Sequence, residues 1–156
     1  MTLRHAAVLL LSLAATSALA AERGEAKATV AGKTVSIDYG RPSLQGRDML
    51  GRAEVGVPWR MGADSPTQLK TKAALSFGSV VVPPGDYVLT ATKTAPDAWQ
   101  LNFKKADGGK IDVPLATKTL TESVETFTIE LKGDGGKGDL ALKWGTQALT
   151  AAFTAR

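Results

Sequence analysis

Six stretches of this chain alternate apolar and polar residues with a period of two. Val35, Ile37 and Tyr39 alternate with Ser36 and Asp38, and Tyr87, Leu89 and Ala91 with Val88, Thr90 and Thr92. Trp99, Leu101 and Phe103 alternate with Gln100, Asn102 and Lys104. The same rhythm runs through Phe127, Ile129 and Leu131, through Leu140, Leu142 and Trp144, and through Leu149, Ala151 and Phe153. This period puts one set of side chains inward and the other toward water, as in half-buried strands. Shorter strand candidates lie at residues 27–30, 68–71, 74–77, 80–82 and 111–115. Ala31-Gly32-Lys33, Asp107-Gly108-Gly109 and Asp134-Gly135-Gly136 supply turn residues between them, and Pro83-Pro84-Gly85-Asp86 turns into the strand that begins near Tyr87. No window carries a strong helical stripe. The pattern predicts an all-β fold, an antiparallel β-sandwich of about eight to ten strands.

Residues 1–20 have the form of a cleaved signal peptide. Arg4 and His5 make a short positive start, residues 6–15 are apolar except for Ser12, and Ala18-Leu19-Ala20 places small residues where a signal peptidase reads them. The apolar run is too short to span a bilayer. No cysteine follows it, which excludes a lipid-anchored lipoprotein. The expectation is a periplasmic or secreted protein with residues 21–156 as a single β-sandwich domain. Such a chain can bury roughly two-thirds of its unfolded surface, so it needs no disulfide.

Composition removes several chemistries. There is no cysteine, and the only histidine, His5, leaves with the signal. A Ser-His-Asp or Cys-His constellation is therefore excluded from the mature chain, as are zinc sites built on thiolate or imidazole. Without residues 1–20 the chain holds 18 basic and 15 acidic residues, a mild formal charge of +3 with the two signs interspersed. No basic tract with interleaved aromatics indicates nucleic-acid binding, and no basic amphipathic helix indicates a membrane surface. The stretch from Asp134 to Asp139 resembles a calcium loop only faintly, because Lys137 stands where ligands are wanted, and it reads as a hairpin. No catalytic residue, cofactor or metal site is assigned.

Residues 40–67 stand apart. They hold Arg41, Arg47, Arg52 and Arg60 and no lysine, whereas the rest of the mature chain has twelve lysines and only Arg23 and Arg156. Arginine differs from lysine as a planar forked donor, so the segregation points to geometry. Three prolines and five glycines break regular structure, while Leu44, Met49, Leu50, Val55, Val57, Trp59 and Met61 supply apolar anchors. The expectation is one long, ordered, Arg-rich loop. Its candidate binding residues are Arg41, Arg47, Trp59, Arg60 and Asp64. In one reading the forks clamp a carboxylate, phosphate or sulfate, and in the other they pair with Asp38, Asp48, Glu54 or Asp64 and tie the loop down. Trp59 is either a stacking platform for a ligand or a plug in the core.

Tyr39-Gly40-Arg41-Pro42, Gly46-Arg47, Gly51 and Trp59-Arg60-Met61-Gly62-Ala63 resemble the bacterial domain-of-unknown-function 2911 family. The likeness continues through residues 82–89, Trp99, and Leu142-Lys143-Trp144-Gly145-Thr146, so it covers nearly the whole mature chain. It implies an exported bacterial protein with no established activity or ligand, and it offers no catalytic residues to carry over. Met61 stands where the family usually has Thr, and Ala63-Asp64-Ser65-Pro66-Thr67 stands where it usually has Ala-Asn-Glu-Ala-Thr.

The functional expectation is a non-enzymatic ligand-binding or interaction module of the periplasm or cell envelope. Its partner would be an anionic small molecule, a glycan or an envelope protein. The alternatives are a hydrolase-like enzyme using Asp and Arg residues of 40–67 and a purely structural envelope component.

Overall fold

The computed structural model describes residues 20–156. The expected signal peptide, residues 1–20, lies outside the described residues apart from Ala20. Ten antiparallel strands follow: β1 (Glu22–Val30), β2 (Lys33–Arg41), β3 (Pro58–Trp59), β4 (Gln68–Thr71), β5 (Leu75–Phe77), β6 (Val80–Val82), β7 (Gly85–Ala95), β8 (Ala98–Lys104), β9 (Lys110–Asp134) and β10 (Lys137–Ala155). They hydrogen-bond in the order β1-β2-β4-β7-β8-β9-β10-β5-β6, with β3 on β7.

The fold is a β-sandwich whose two sheets share β9. Residues 110–115 of β9 pair with β8 in the first sheet, while residues 116–134 pair with β10 in the second. The strand is therefore much longer than the two candidates at 111–115 and 127–131. The residues between them, from Ala116 to Ser123, are mostly exposed and carry no apolar alternation, so periodicity does not reveal their strand character. Leu140 to Trp144 and Leu149 to Phe153 likewise belong to one strand, β10. The register of β9 against β10 shifts on both sides of Gly145, which sits at φ 63°. A bulge with a residue in the left-handed region bends a strand locally, and glycine takes that conformation without a Cβ penalty.

The hairpin turn from β1 to β2 places Ala31 at φ 51° and Gly32 at φ 71°. Two positive φ values match the right-handed twist of the strands they join. At the far end of β9 the chain comes back to this turn: Ala31 N–H donates to Gly135 O at 2.6 Å. Tyr87, at the start of β7, donates its hydroxyl to Pro83 O at 2.6 Å, and burial pushes its pKa up.

The inward-facing sets fill the space between the sheets. Val35, Ile37, Leu89, Leu101, Phe103, Phe127 and Leu142 are fully buried. The nine aromatic rings divide into two clusters. Phe77, Tyr87, Phe103 and Phe153 form one. Tyr39, Trp59, Trp99, Phe127 and Trp144, with every tryptophan of the chain, form the other. Two residues read as solvent-facing are covered: Thr92 and Asn102 are buried on the outer face of the first sheet. Their neighbours satisfy them. Asn102 accepts from Thr92 Oγ1 at 2.7 Å and from Thr90 Oγ1 at 3.2 Å, and donates to Asp112 Oδ1 at 2.7 Å. A buried amide is tolerated where both its ends are paired.

Ile129 and Glu130 test the two faces of β9. Ile129 is 4 % exposed, so Ile129→Ala should cost about 2–5 kcal/mol in urea unfolding through lost transfer energy and a cavity. Glu130 pairs with Lys143 at 2.9 Å on the outer face, and Glu130→Ala should cost under about 1 kcal/mol. Equal losses would contradict the assignment of faces.

Candidate functional site

The arginine-bearing stretch begins inside a strand. Gly40 and Arg41 close β2, and Pro58-Trp59 forms β3 on β7 at Thr92 and Ala91. What lies between follows the second sheet before it turns away. Phe127 N–H donates to Pro42 O at 2.9 Å, Leu44 N–H donates to Glu125 O at 3.0 Å, and Ser43 bridges Thr126. The chain thus leaves the first sheet and pairs with the free side of β9 in the second. Asp48 then caps a tight turn, its Oδ1 accepting from Gly51 N–H at 2.9 Å. Leu44 and Leu50 are buried beneath that turn.

Each candidate side chain has a definite place. Arg41 reaches across to β9, donating from Nε to Phe127 O at 3.3 Å and from Nη2 to Thr128 Oγ1 at 3.2 Å, with Glu22 Oε1 at 3.7 Å from Nη1. Arg47 Nε donates to Leu44 O at 3.1 Å and closes its own turn. Arg60 Nη2 donates to the backbone oxygen of Asp64. Asp64 Oδ2 accepts from Ala21 N–H at 2.9 Å. Trp59 is half-buried. It stacks on Trp144 with centroids 5.8 Å apart at 19°, and meets Phe127 and Trp99 edge-on at 5.0 and 6.2 Å. The side chain of Arg52 is exposed and makes no hydrogen bond or ion pair among the described residues.

These contacts bring the two signature stretches together. Tyr39 sets the first. Its hydroxyl accepts from Ile129 N–H at 2.9 Å and lies 3.5 Å from Ile129 O. Gly40 then packs against Ala63, and a Cβ on Gly40 would overlap the Ala63 carbonyl oxygen and amide. Met61 is fully buried at φ 55°, with its carbonyl held by Thr67 Oγ1 at 2.6 Å. Asp64 is also in the left-handed region, at φ 62°. Non-glycine residues enter that region at a cost, so surrounding contacts must hold them there.

One of those contacts comes from a residue outside the stretch. Arg23, on β1, forms an ion pair with Asp38 and donates from Nη1 to Ala63 O at 3.4 Å and Ser65 O at 3.2 Å. Its signal in the sequence was its rarity, as one of two arginines among the lysines of the remaining chain. Thr128 shows no such signal, because strand periodicity alone does not say which side chain faces an arginine on the other sheet.

Among the described residues, surface depressions of about 170 to 610 Å³ lie elsewhere, and these are not lined by Arg41, Arg47, Trp59, Arg60 or Asp64. One of about 360 Å³ lies on β9 and β10 between Lys118, Lys132, Lys143 and Thr150. Among the described residues no three His, Cys, Asp or Glu side chains are grouped to hold a metal ion, and no helix is long and apolar enough to cross a membrane.

A sandwich with this double signature defines a family. The chain matches the family described as a protein of unknown function (DUF2911) over residues 21–153, and it belongs to that family. No curated protein and no solved structure matches it.

Gly40→Ala tests the junction. The added methyl meets backbone rather than a yielding side chain, so the expected cost is about 2–3 kcal/mol in urea unfolding. An unchanged midpoint would show that the two signature stretches do not depend on their contact.

Proposed function

We propose that the protein is an exported, non-enzymatic interaction module, and that residues 40–67 form its Arg-rich recognition loop. Export to the periplasm or cell exterior follows from the form of residues 1–20 and the absence of cysteine. The observation that carries the binding reading is a division of labour along the loop. Arg41, Arg47 and Arg60 each donate to the chain's own backbone oxygens, Arg41 also to Thr128, and Trp59 is packed on other rings. The crest between them is exposed: Arg52 and Glu54 stand beside Val55 and Val57, which do not anchor the loop as their apolar character suggests but are each 53 % exposed.

The crest is held in shape. Gly56 N–H donates to Lys93 O at 2.8 Å, Val55 bridges Lys93, and Val57 N–H donates to Glu54 O at 3.3 Å. A rigid crest loses little conformational entropy on binding. Apolar side chains flanking a free guanidinium suit a partner that carries an acidic group beside an apolar surface. Arg41, Arg47, Trp59, Arg60 and Asp64 then position the loop, and the crest makes the contact. Asp38 is paired with Arg23, Asp64 accepts from Ala21 N–H and Asp48 from Gly51 N–H, which favours binding over a catalytic pair.

The test is a thermal-shift screen with anionic small molecules, acidic glycans and acidic envelope polypeptides, on the wild type and on the Arg52→Ala/Val57→Ser chain. The double variant should melt like the wild type without ligand, because neither side chain is buried. Any ligand that raises the wild-type melting temperature should raise that of the variant by less than half as much. Equal shifts in both chains would remove the crest from recognition.

A further inference from the structure

Ala21 is the residue that follows Ala18-Leu19-Ala20, and its backbone nitrogen donates to Asp64 Oδ2 at 2.9 Å. We propose that Asp64 is a receptor for the chain's own processed N-terminus. The inference rests on the export reading above. Hydrolysis by a signal peptidase breaks the bond between Ala20 C and Ala21 N. The oxygen of water stays with Ala20 as part of its new carboxylate. The Ala21 nitrogen gains the protons and becomes an α-ammonium at neutral pH. A neutral amide donor facing Asp64 thereby becomes a three-proton cation at the same place.

The carboxylate is aimed by its surroundings. Asp64 is held at φ 62° while Arg60 binds its carbonyl, and Arg23 binds the carbonyls of both its neighbours, Ala63 and Ser65. Arg23 is two residues from Ala21, so the first turn of mature chain touches the same short stretch at two points. Glu22, between them, points to Arg41 instead, with 3.7 Å between the charged atoms. The other acid nearby, Asp38, is taken by Arg23. Asp64 is therefore the carboxylate that the new ammonium meets, and capture of an N-terminal amine is a known mode of end recognition.

The consequence is a fold completed by export. Before cleavage Ala21 carries an amide and a leader, and the start of β1 docks on residues 63–65 through one amide donor to the Asp64 carboxylate and through Arg23. After cleavage the ion pair adds to that dock. It is a surface pair, so its effect is small and salt-sensitive.

The experiment uses four full mature chains. One begins at Ala21, one carries a single extra glycine before Ala21, and each is also made with Asp64→Asn. The glycine keeps the amide at Ala21 and moves the ammonium away. In low-salt urea unfolding near neutral pH, the extension should raise the unfolding equilibrium constant about two- to five-fold in the Asp64 background and leave it unchanged in the Asp64→Asn background. High salt should shrink the first difference. Mass spectrometry of exported protein should show a chain beginning at Ala21. If the chain begins there but the extension acts equally in both backgrounds, the receptor is overturned and export stands. If the exported chain begins elsewhere, the receptor and the cleavage position both fall.

Discussion

The crossing of the chain from the end of β2 onto β9 is the contact on which the rest of this structure depends. Within four residues Tyr39 engages the backbone of Ile129, Arg41 the carbonyl of Phe127, and Pro42 the amide of Phe127. Those bonds join the first sheet to the second on the side of β9 that β10 leaves open. The same few residues fix the floor of the aromatic cluster, because Phe127 lies 5.5 Å from Tyr39 and 5.0 Å from Trp59. Backbone groups at that edge would otherwise be left without partners beneath a covering segment, at a free-energy cost comparable to a lost hydrogen bond for each.

This crossing gives a physical reason for arginine rather than lysine. A carbonyl in a strand and a hydroxyl one residue on present two acceptors at a fixed spacing, and a planar fork meets both at once, as Arg41 does with Phe127 O and Thr128 Oγ1. Arg23 divides its fork between the Ala63 and Ser65 carbonyls, both on Nη1, and the Asp38 carboxylate on Nη2. An ammonium donates from a single point and would lose more rotamer freedom per bond. The glycines complete the arrangement, since Gly40 admits Ala63 to a distance that no side chain would permit.

Much of this fold could be read from period two alone. The stretches at 68–71 and 80–82 match β4 and β6, and Phe127, Ile129, Leu142 and Trp144 are all buried as the alternation requires. The sharing of β9 between sheets was not legible, because residues 116–123 cross between the sheets mostly exposed, with Leu120 as their one large apolar side chain and no alternation to mark a face as inward. Nor was the burial of Asn102, which depends on Thr90, Thr92 and Asp112 from the strands on either side. At the candidate site the arginine segregation pointed to residues 40–67. The partners of those arginines are backbone oxygens and a threonine on distant strands. A one-dimensional search for neighbouring acids does not find them, and it passes over Arg23.

The central claim is that the planar fork of Arg41 holds the crossing together through the chain's own acceptors. Urea unfolding of Arg41→Lys beside Arg52→Lys tests it most directly. Both substitutions keep the charge. Arg41→Lys should lose about 1–3 kcal/mol, because a charged donor is withdrawn from acceptors that are partly buried. Arg52→Lys should stay within about 0.5 kcal/mol, because its guanidinium faces water. Equal stability of the two variants, with Arg41→Lys no weaker than the wild type, would contradict the account.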